Sequence, residues 1–420
     1  MGLFGLDRAE LFQPVGLVAR PLFLVPATVR AIIAPDQFWK LGLMRIVYLL
    51  TSLGMGGAER LVLALASRMS ERGHTVQLLV LRPPVAEQWP TALPVVHLGM
   101  RRNPFSVIGG FAQACRFLRG FPPDLLHSHS FHPNIVARLL KLFIPSTAVL
   151  STVHNVYEGG WQRMLAYRLT DGLSRQTTAV SQAAAERFVR LKAVPQRKCT
   201  VLTNGIDTAE FVPDAQRRTR VRDEMGSDQT SGNGEFIWLT AGRIVPAKDI
   251  PNLLRAFAAV RETQPNAHLW IAGEWAGAKV KRSGGIVSDF VVGSGSLAGV
   301  RILGLRRDLP ALLDAADGFV LASAWEGMPL ALGEAMAMEK AVAATDVGGV
   351  RELVGDAGMI VAAKDSSALA AAMLGIMQTS AEERHALGRA ARARIESLFS
   401  MDTRVDEWEA LYTALLQRDV

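Results

Sequence analysis

The 420-residue chain contains only two cysteines, Cys115 and Cys199. A disulfide framework and a cysteine metal centre are thereby excluded, and a reducing compartment such as the cytoplasm is expected. No Asp-x-Asp pair occurs, so a metal-dependent diphosphate site is not expected. His127, His129, His132 and His154 match no usual zinc spacing, and no His-Glu-x-x-His accompanies them. An unbroken apolar span of the roughly 20 residues that a transmembrane helix needs is also missing. Residues 1–43 come nearest, but Pro14, Arg20, Pro21, Pro26 and Arg30 interrupt them. Asp7, Arg8 and Glu10 precede no clean apolar core, which disfavours a secretory signal. This stretch reads as a weakly ordered extension, with Met44 directly before the first convincing strand. The alternative is a membrane-surface anchor holding Arg20 and Arg30 at the headgroups. Basic residues are scattered and not interleaved with aromatics, so no nucleic acid is expected.

What is present describes a globular protein, with 49% apolar and 20% charged residues. The length suits two domains. Charge is divided unevenly between them. Residues 1–206 hold 23 Lys/Arg against 10 Asp/Glu, and residues 207–420 hold 23 against 29. The first half carries a positive field suited to anionic surfaces or phosphorylated substrates, unless it is only a solvated basic face.

From Arg45 onward, short apolar runs alternate with helical patterns. Ile46–Leu50 is a continuous apolar run, as expected for a strand buried on both faces of a parallel sheet. Further strands are expected at 76–81, 94–98, 124–127, 148–153, 177–181 and 200–202, with helices at 58–69, 104–118 and from about 133. Residues 207–235 form the boundary, and Gly226–Gly234 reads as a mobile loop. The alternation then restarts, with strands at 236–240, 268–272, 300–303, 318–322, 341–345 and 359–362. The expected fold is α/β, with two tandem Rossmann-like domains at 44–206 and 236–398. A last helix over 399–420 is expected to pack back toward the first domain. A ligand would bind between the domains, at the carboxyl ends of both sheets.

Three stretches sit at such ends. Gly54-Met55-Gly56-Gly57-Ala58-Glu59 departs from the dinucleotide fingerprint, because Glu59 takes its last position and Arg82-Pro83-Pro84 follows the second strand. A dehydrogenase is therefore disfavoured, although Gly56 and Gly57 still allow close backbone approach to a phosphate or sugar. Gly242 through Asp249 places Arg243 and Lys248 on one loop, a pairing suited to a diphosphate. Ala324 through Ala337 carries Glu326 on a loop and Glu334 on the helix it opens, with Gly327 and Pro329 between. The free amides of that helix entry form an anion site, and a carboxylate one turn in suits a sugar diol. His154 ends a strand at the cleft edge.

Together these motifs resemble the retaining glycosyltransferases of family 4, which have the GT-B fold. The resemblance runs from about Arg45 to the end. It rests on Gly56-Gly57-Ala58-Glu59, Asn204-Gly205-Ile206-Asp207, Gly242-Arg243 with Lys248, Leu303-Gly304 before Asp308-Leu309-Pro310, and the E-x7-E element from Glu326 to Glu334. It implies that Arg243 and Lys248 hold the diphosphate of a nucleotide sugar, assisted by amides near Gly327, Met328 and Leu330. Glu334 would accept from the ribose, Leu305 would lie near the base, and Glu326 and His154 would contact the donor sugar. Gly57 would approach from the first domain. No cofactor or metal is implied, and a UDP-sugar is favoured over a GDP-sugar as co-substrate. The acceptor would be a glycan or a polyprenyl- or lipid-linked glycan. An anionic membrane surface is the expected partner, at the inner face of the cytoplasmic membrane. Two departures stand out: Asp249 replaces the Gly usual after the lysine, and Gly273–Gly277 replaces the commoner Gly-(Asp/Glu)-Gly-Pro turn. Competing readings are a nucleotide-sugar epimerase of the same fold and a non-catalytic sugar-nucleotide sensor.

Overall fold

The computed structural model describes residues 42–226, 234–274 and 298–417. Residues 1–41 of the expected N-terminal extension, residues 227–233 of the loop expected to be mobile, residues 275–297 and residues 418–420 lie outside the described residues.

The first sheet contains β1 (Arg45–Leu50), β2 (Thr75–Val80), β3 (Val95–His97), β4 (Leu125–His129), β5 (Ala148–Val153), β6 (Gln176–Ala179) and β7 (Cys199–Val201). Every pairing is parallel, in the order β3-β2-β1-β4-β5-β6-β7. Its crossovers are α1 (Gly57–Glu71), α2 (Pro104–Gly120), α3 (Phe131–Leu140), α4 (Trp161–Thr170) and α5 (Gln182–Arg190). The sheet is covered on both sides. Ile46, Tyr48 and Leu50 pack with Val62, Leu65 and Met69 of α1, whereas Val47 and Leu49 pack with Ala114, Leu118 and Ala137 of α2 and α3. That is why the strand reads as apolar without alternation.

Next comes α6 (Ala215–Glu224), then β8 (Phe236–Ala241), α7 (Ile250–Thr263), β9 (Ala267–Ala272), β10 (Val300–Gly304), α8 (Leu309–Ala315) and β11 (Gly318–Leu321). The chain continues through α9 (Leu330–Ala337), β12 (Ala341–Thr345), α10 (Val350–Val354), β13 (Met359–Val361), α11 (Ser366–Gln378), α12 (Ala381–Leu398) and α13 (Met401–Gln417). The second sheet, also parallel, runs β10-β9-β8-β11-β12-β13. Ile237, Leu239 and Ala241 face one core, and Phe236 and Trp238 face the other. The described residues thus form two Rossmann-like α/β sheets.

One helix ties the halves together, and another is fixed to the second half alone. α13 buries Met401, Val405, Trp408, Tyr412 and Leu415 in the core of the first sheet. There Tyr412 Oη lies 3.2 Å from Tyr48 Oη and 2.7 Å from His127 Nδ1. α6 occupies residues expected as a linker, yet it is held firmly. Arg222 donates to Asp317 at 2.5 Å, Arg218 to Asp317 at 2.5 Å, and Arg217 pairs with the buried Asp314. Only Val221 and Arg222 are buried, so charge fixes this helix in place of an apolar stripe.

Candidate active site

In each sheet the strand order reverses beside the first strand, between β1 and β4 and between β8 and β11. Loops diverge at such points and leave a crevice at the carboxyl ends. A cleft of about 420 Å³ lies there, lined by the loops after β1, β5, β8 and β11.

The β8 loop turns at Gly242 and reaches Lys248 through the short 3-10 turn Pro246–Lys248. Asp249 follows with φ 42° and ψ 50°, in the left-handed region. Glycine enters that region freely, while Asp and Asn are the side chains that tolerate it best. Asp249 also caps α7, its Oδ1 accepting from Asn252 N at 3.4 Å. The departure from Gly is therefore accommodated by the backbone. A bond from Ala324 N to Ala247 O (2.8 Å) ties this loop to the β11 loop.

Glu326 is 8% exposed. Its Oε1 accepts from Lys248 Nζ and from Ser323 Oγ, each at 2.6 Å. Ser323 is in turn fixed by Thr345 Oγ1, which donates to its carbonyl at 2.7 Å. A buried ion pair contributes little to net stability, but breaking one partner is costly. Arg243 is exposed, lines the same cleft and makes no ion pair among the described residues. Opposite it, the loop Gly327–Pro329 enters α9, whose first amides have no intrahelical partner and whose dipole is positive at this end. The arrangement presents two cations and a row of N–H groups to one space, which suits a group carrying two negative phosphates.

The first domain closes the other wall. Gly327 lies against the β5 loop so tightly that a Cβ there would sit 2.0 Å from the His154 carbonyl oxygen. Val156 N donates to Glu326 O at 3.4 Å across the same seam. His154 Nε2 is 3.0 Å from His129 Nδ1. Desolvation pushes the His154 imidazole down to about 4, so it is neutral near pH 7 and can hydrogen-bond without carrying charge. Its backbone N–H donates to Glu158 Oε1 at 3.0 Å, and Tyr167 Oη donates to Glu158 Oε2 at 2.6 Å. The histidine rings lie close but tilted: the His127 and His129 centroids are 4.0 Å apart at an interplanar angle of 42°. Among the described residues no group of three or more His, Cys, Asp or Glu is arranged to hold a metal ion.

Of the residues singled out in the sequence, Gly56, Gly57, His154, Arg243, Lys248, Glu326, Gly327, Met328 and Leu330 all line this cleft. Leu305 and Glu334 do not. They line a smaller adjoining cavity of about 130 Å³, joined to the cleft along Gly56, Gly57, Arg243 and Leu330. Glu334 is also not free there. Arg60 of α1 donates to its Oε1 at 3.0 Å and to Glu210 at 2.6 Å. The guanidinium lies 5.3 Å from the Trp89 ring centroid and 5.0 Å from that of Phe211. Burial first, with Arg60 opposing it, holds the Glu334 carboxyl up at about 7.

Sequence reasoning missed Arg60, Glu158 and Asn204. Asn204 donates from Nδ2 to Met328 O at 2.9 Å, and its buried Oδ1, at the cleft wall, has no partner among the described residues. Arg60 stands directly after the singled-out Glu59, and Asn204 belongs to a motif already noted; neither carried a signal about its contact across the domains. Glu158 is announced by nothing local.

Two parallel sheets facing one another across a cleft with a cationic wall are the architecture of the GT-B enzymes. Known proteins narrow this further. The family described as Glycosyltransferase Family 4 matches residues 55–210, and Glycosyl transferases group 1 matches residues 235–379. A glycogen synthase of Mycobacterium tuberculosis is 29% identical over 328 residues, covering 71% of this chain and 69% of that protein. UDP-Gal:alpha-D-GlcNAc-diphosphoundecaprenol alpha-1,3-galactosyltransferase of Escherichia coli is 24% identical, covering 69% and 75%. The fold matches Anabaena Alr3699/HepE in complex with UDP-glucose with a TM-score of 0.76 at 18% identity, covering 88% of this chain and 99% of that one. WaaG, a glycosyltransferase involved in lipopolysaccharide biosynthesis, matches with a TM-score of 0.67 at 17% identity, covering 88% and 99%. The chain belongs to glycosyltransferase family 4 and has the GT-B fold.

Proposed function

We propose that the protein is a retaining transferase that moves a hexosyl or N-acetylhexosaminyl group from a nucleotide diphosphate sugar, UDP-linked in preference to GDP-linked, to a lipid-linked glycan at the inner face of the cytoplasmic membrane. The observation that carries this reading is the Lys248–Glu326 pair beside Arg243 and the α9 amides, all facing His154. Positive charge at Arg243 and Lys248 would offset the negative charge that grows on the departing diphosphate, in a site where those groups are already oriented. Arg243 and Lys248 provide this charge without requiring a metal ion. Glu326 and neutral His154 would fix the sugar hydroxyls. Glu326 is held in an ion pair by Lys248, and no convincing nucleophile is apparent beside it, which favours a front-face path in which the leaving phosphate takes the acceptor proton.

The membrane clause draws support from the outer face of the first domain. Trp161 (72% exposed), Leu165 (42%) and Leu169 (74%) recur every fourth residue on the outward face of α4. Such a stripe beside basic residues suits an anionic bilayer surface. No helix of the described residues is long and apolar enough to cross a membrane.

The test offers a panel of nucleotide sugars, with and without EDTA, to purified protein mixed with membrane extract. Transfer of sugar from one donor into the lipid fraction, undiminished by EDTA, is expected. Conversion of the free nucleotide sugar to an isomer, with nothing transferred, would overturn the reading in favour of an epimerase.

A further inference from the structure

Beside the cleft, and sharing Phe131, His132 and Arg163 with it, the first domain holds a second cavity of about 770 Å³. It opens at the carboxyl ends of β1, β2 and β3. Arg82, Arg101, Arg102 and Arg163 line it, and among the described residues no carboxylate does. Arg82, Arg101 and Arg102 are exposed, and their side chains make no ion pair among the described residues. Arg163 bridges the two cavities, its guanidinium 4.6 Å from the Phe131 ring centroid and donating to Glu158 O at 2.5 Å. His132 registers the resulting field: its imidazole is held below the ordinary range by desolvation, then by Arg163 and Arg82.

Four like charges around one space repel each other until an anion sits between them. Guanidinium forks match phosphate oxygens two at a time. A plain sugar is commonly held by carboxylate and side-chain amide acceptors, and among the described residues none lines this cavity. The remaining wall is apolar, formed by Met100, Val107, Ile135 and Val136. On the turn of α2 that carries Val107, Phe105 is 86% and Ile108 67% exposed, so the apolar surface continues outward from the cavity.

We propose that this cavity is the acceptor subsite for a prenyl-type phosphate or diphosphate. The anion is held by Arg82, Arg101 and Arg102, and the hydrocarbon runs over Val107 toward Phe105 and Ile108. The sugar to be extended passes His132 and Phe131 into the cleft. The assignment rests on the transferase reading and names the chemical class of its acceptor.

Calorimetric binding to the full-length protein tests it, with farnesyl diphosphate, inorganic pyrophosphate and glucose 1-phosphate as probes. Each is titrated with and without saturating UDP, into wild type and into the triple variant Arg82→Gln/Arg101→Gln/Arg102→Gln. Farnesyl diphosphate is expected to bind beside UDP and at least about tenfold more tightly than the two soluble probes. The triple variant should lose about tenfold or more of that affinity, from three lost charge-assisted contacts, while UDP still raises its Tm as in wild type. Displacement of farnesyl diphosphate by UDP, or unchanged affinity in the variant, overturns the proposal. Equal binding of glucose 1-phosphate overturns the prenyl assignment in favour of a soluble sugar phosphate. If UDP raises the Tm of neither protein, the donor reading is what fails; farnesyl diphosphate binding that still depends on the arginines supports the cavity.

Discussion

Arg60 is the residue through which the donor wall can be tested electrostatically. Glu334 is 6% exposed and its carboxyl is pushed up to about 7, although Arg60 Nη1 lies only 3.0 Å from its Oε1. Burial raises this carboxyl more than the cation lowers it, and Glu210 raises it further. Arg60→Met keeps the apolar stem between Trp89 and Phe211 and removes the charge. The Glu334 pKa should then rise above about 7, leaving the group protonated at neutral pH. A hydrogen bond to a charged acceptor is worth about 1.5–3 kcal/mol and to a neutral one about 0.5–1.5. If Glu334 receives the ribose hydroxyls, the variant should bind UDP-glucose about 3- to 15-fold more weakly at pH 7, where the wild-type carboxyl is about half ionised, with partial recovery toward pH 9. Wild type should tighten as pH rises through about 7, and Glu334→Gln should show no such dependence. Calorimetry of the three proteins across that range reads all of this. Equal affinity and an equal pH profile in wild type and Arg60→Met would refute the reasoning. Tighter binding by the variant would recast Arg60 as a competitor for the carboxylate.

Lys248→Ala and Glu326→Ala should each lower transfer by about 10²–10³, the usual effect of losing one preorganised group, with a native circular dichroism spectrum; near-normal turnover removes that residue from the mechanism. Gly327→Ala drives a methyl into the His154 carbonyl and should destabilise by about 1–3 kcal/mol while opening the seam; a Tm and hydrogen-exchange pattern identical to wild type would contradict the close approach. Burial pushes the Glu158 and Glu334 carboxyls up to about 7 in the folded protein, above the ordinary carboxyl range. Their contribution to stability is complete at low pH and lost as pH rises through about 7, roughly 3 kcal/mol each; denaturant unfolding of Glu158→Gln/Glu334→Gln at pH 5 and pH 8 should show a flatter decline than wild type, and an equal decline counts against it. Deleting residues 401–420 removes five buried side chains at about 1.5–3 kcal/mol each, comparable to a whole domain's stability, so soluble monomeric protein with a cooperative transition is not expected.

Most of both sheets was legible in the chain. Strands buried on both faces, such as Ile46–Leu50 and Phe236–Thr240, need continuous apolar runs, and each run leads into a loop at the carboxyl end of its strand. Helices that do not follow the usual stripe were not legible. α4 buries Met164 and Tyr167 but turns Trp161, Leu165 and Leu169 outward, and α6 is held by Asp314 and Asp317 with hardly any apolar contact. Periodicity reads burial, and these helices are fixed by other forces.

For the site, residue order alone pointed to the chemistry of each loop. A cation pair, a glycine and proline turn, and two carboxylates eight positions apart are local facts that any fold must present together. Tertiary structure decided which of them meet. Glu326 faces Lys248 because Ala247 and Ala324 are hydrogen-bonded, while Glu334, seen in sequence as its companion, points into the next cavity against Arg60, 274 residues away. Contacts between side chains so far apart leave no periodic trace. Their strength depends on burial that only the packed domains create.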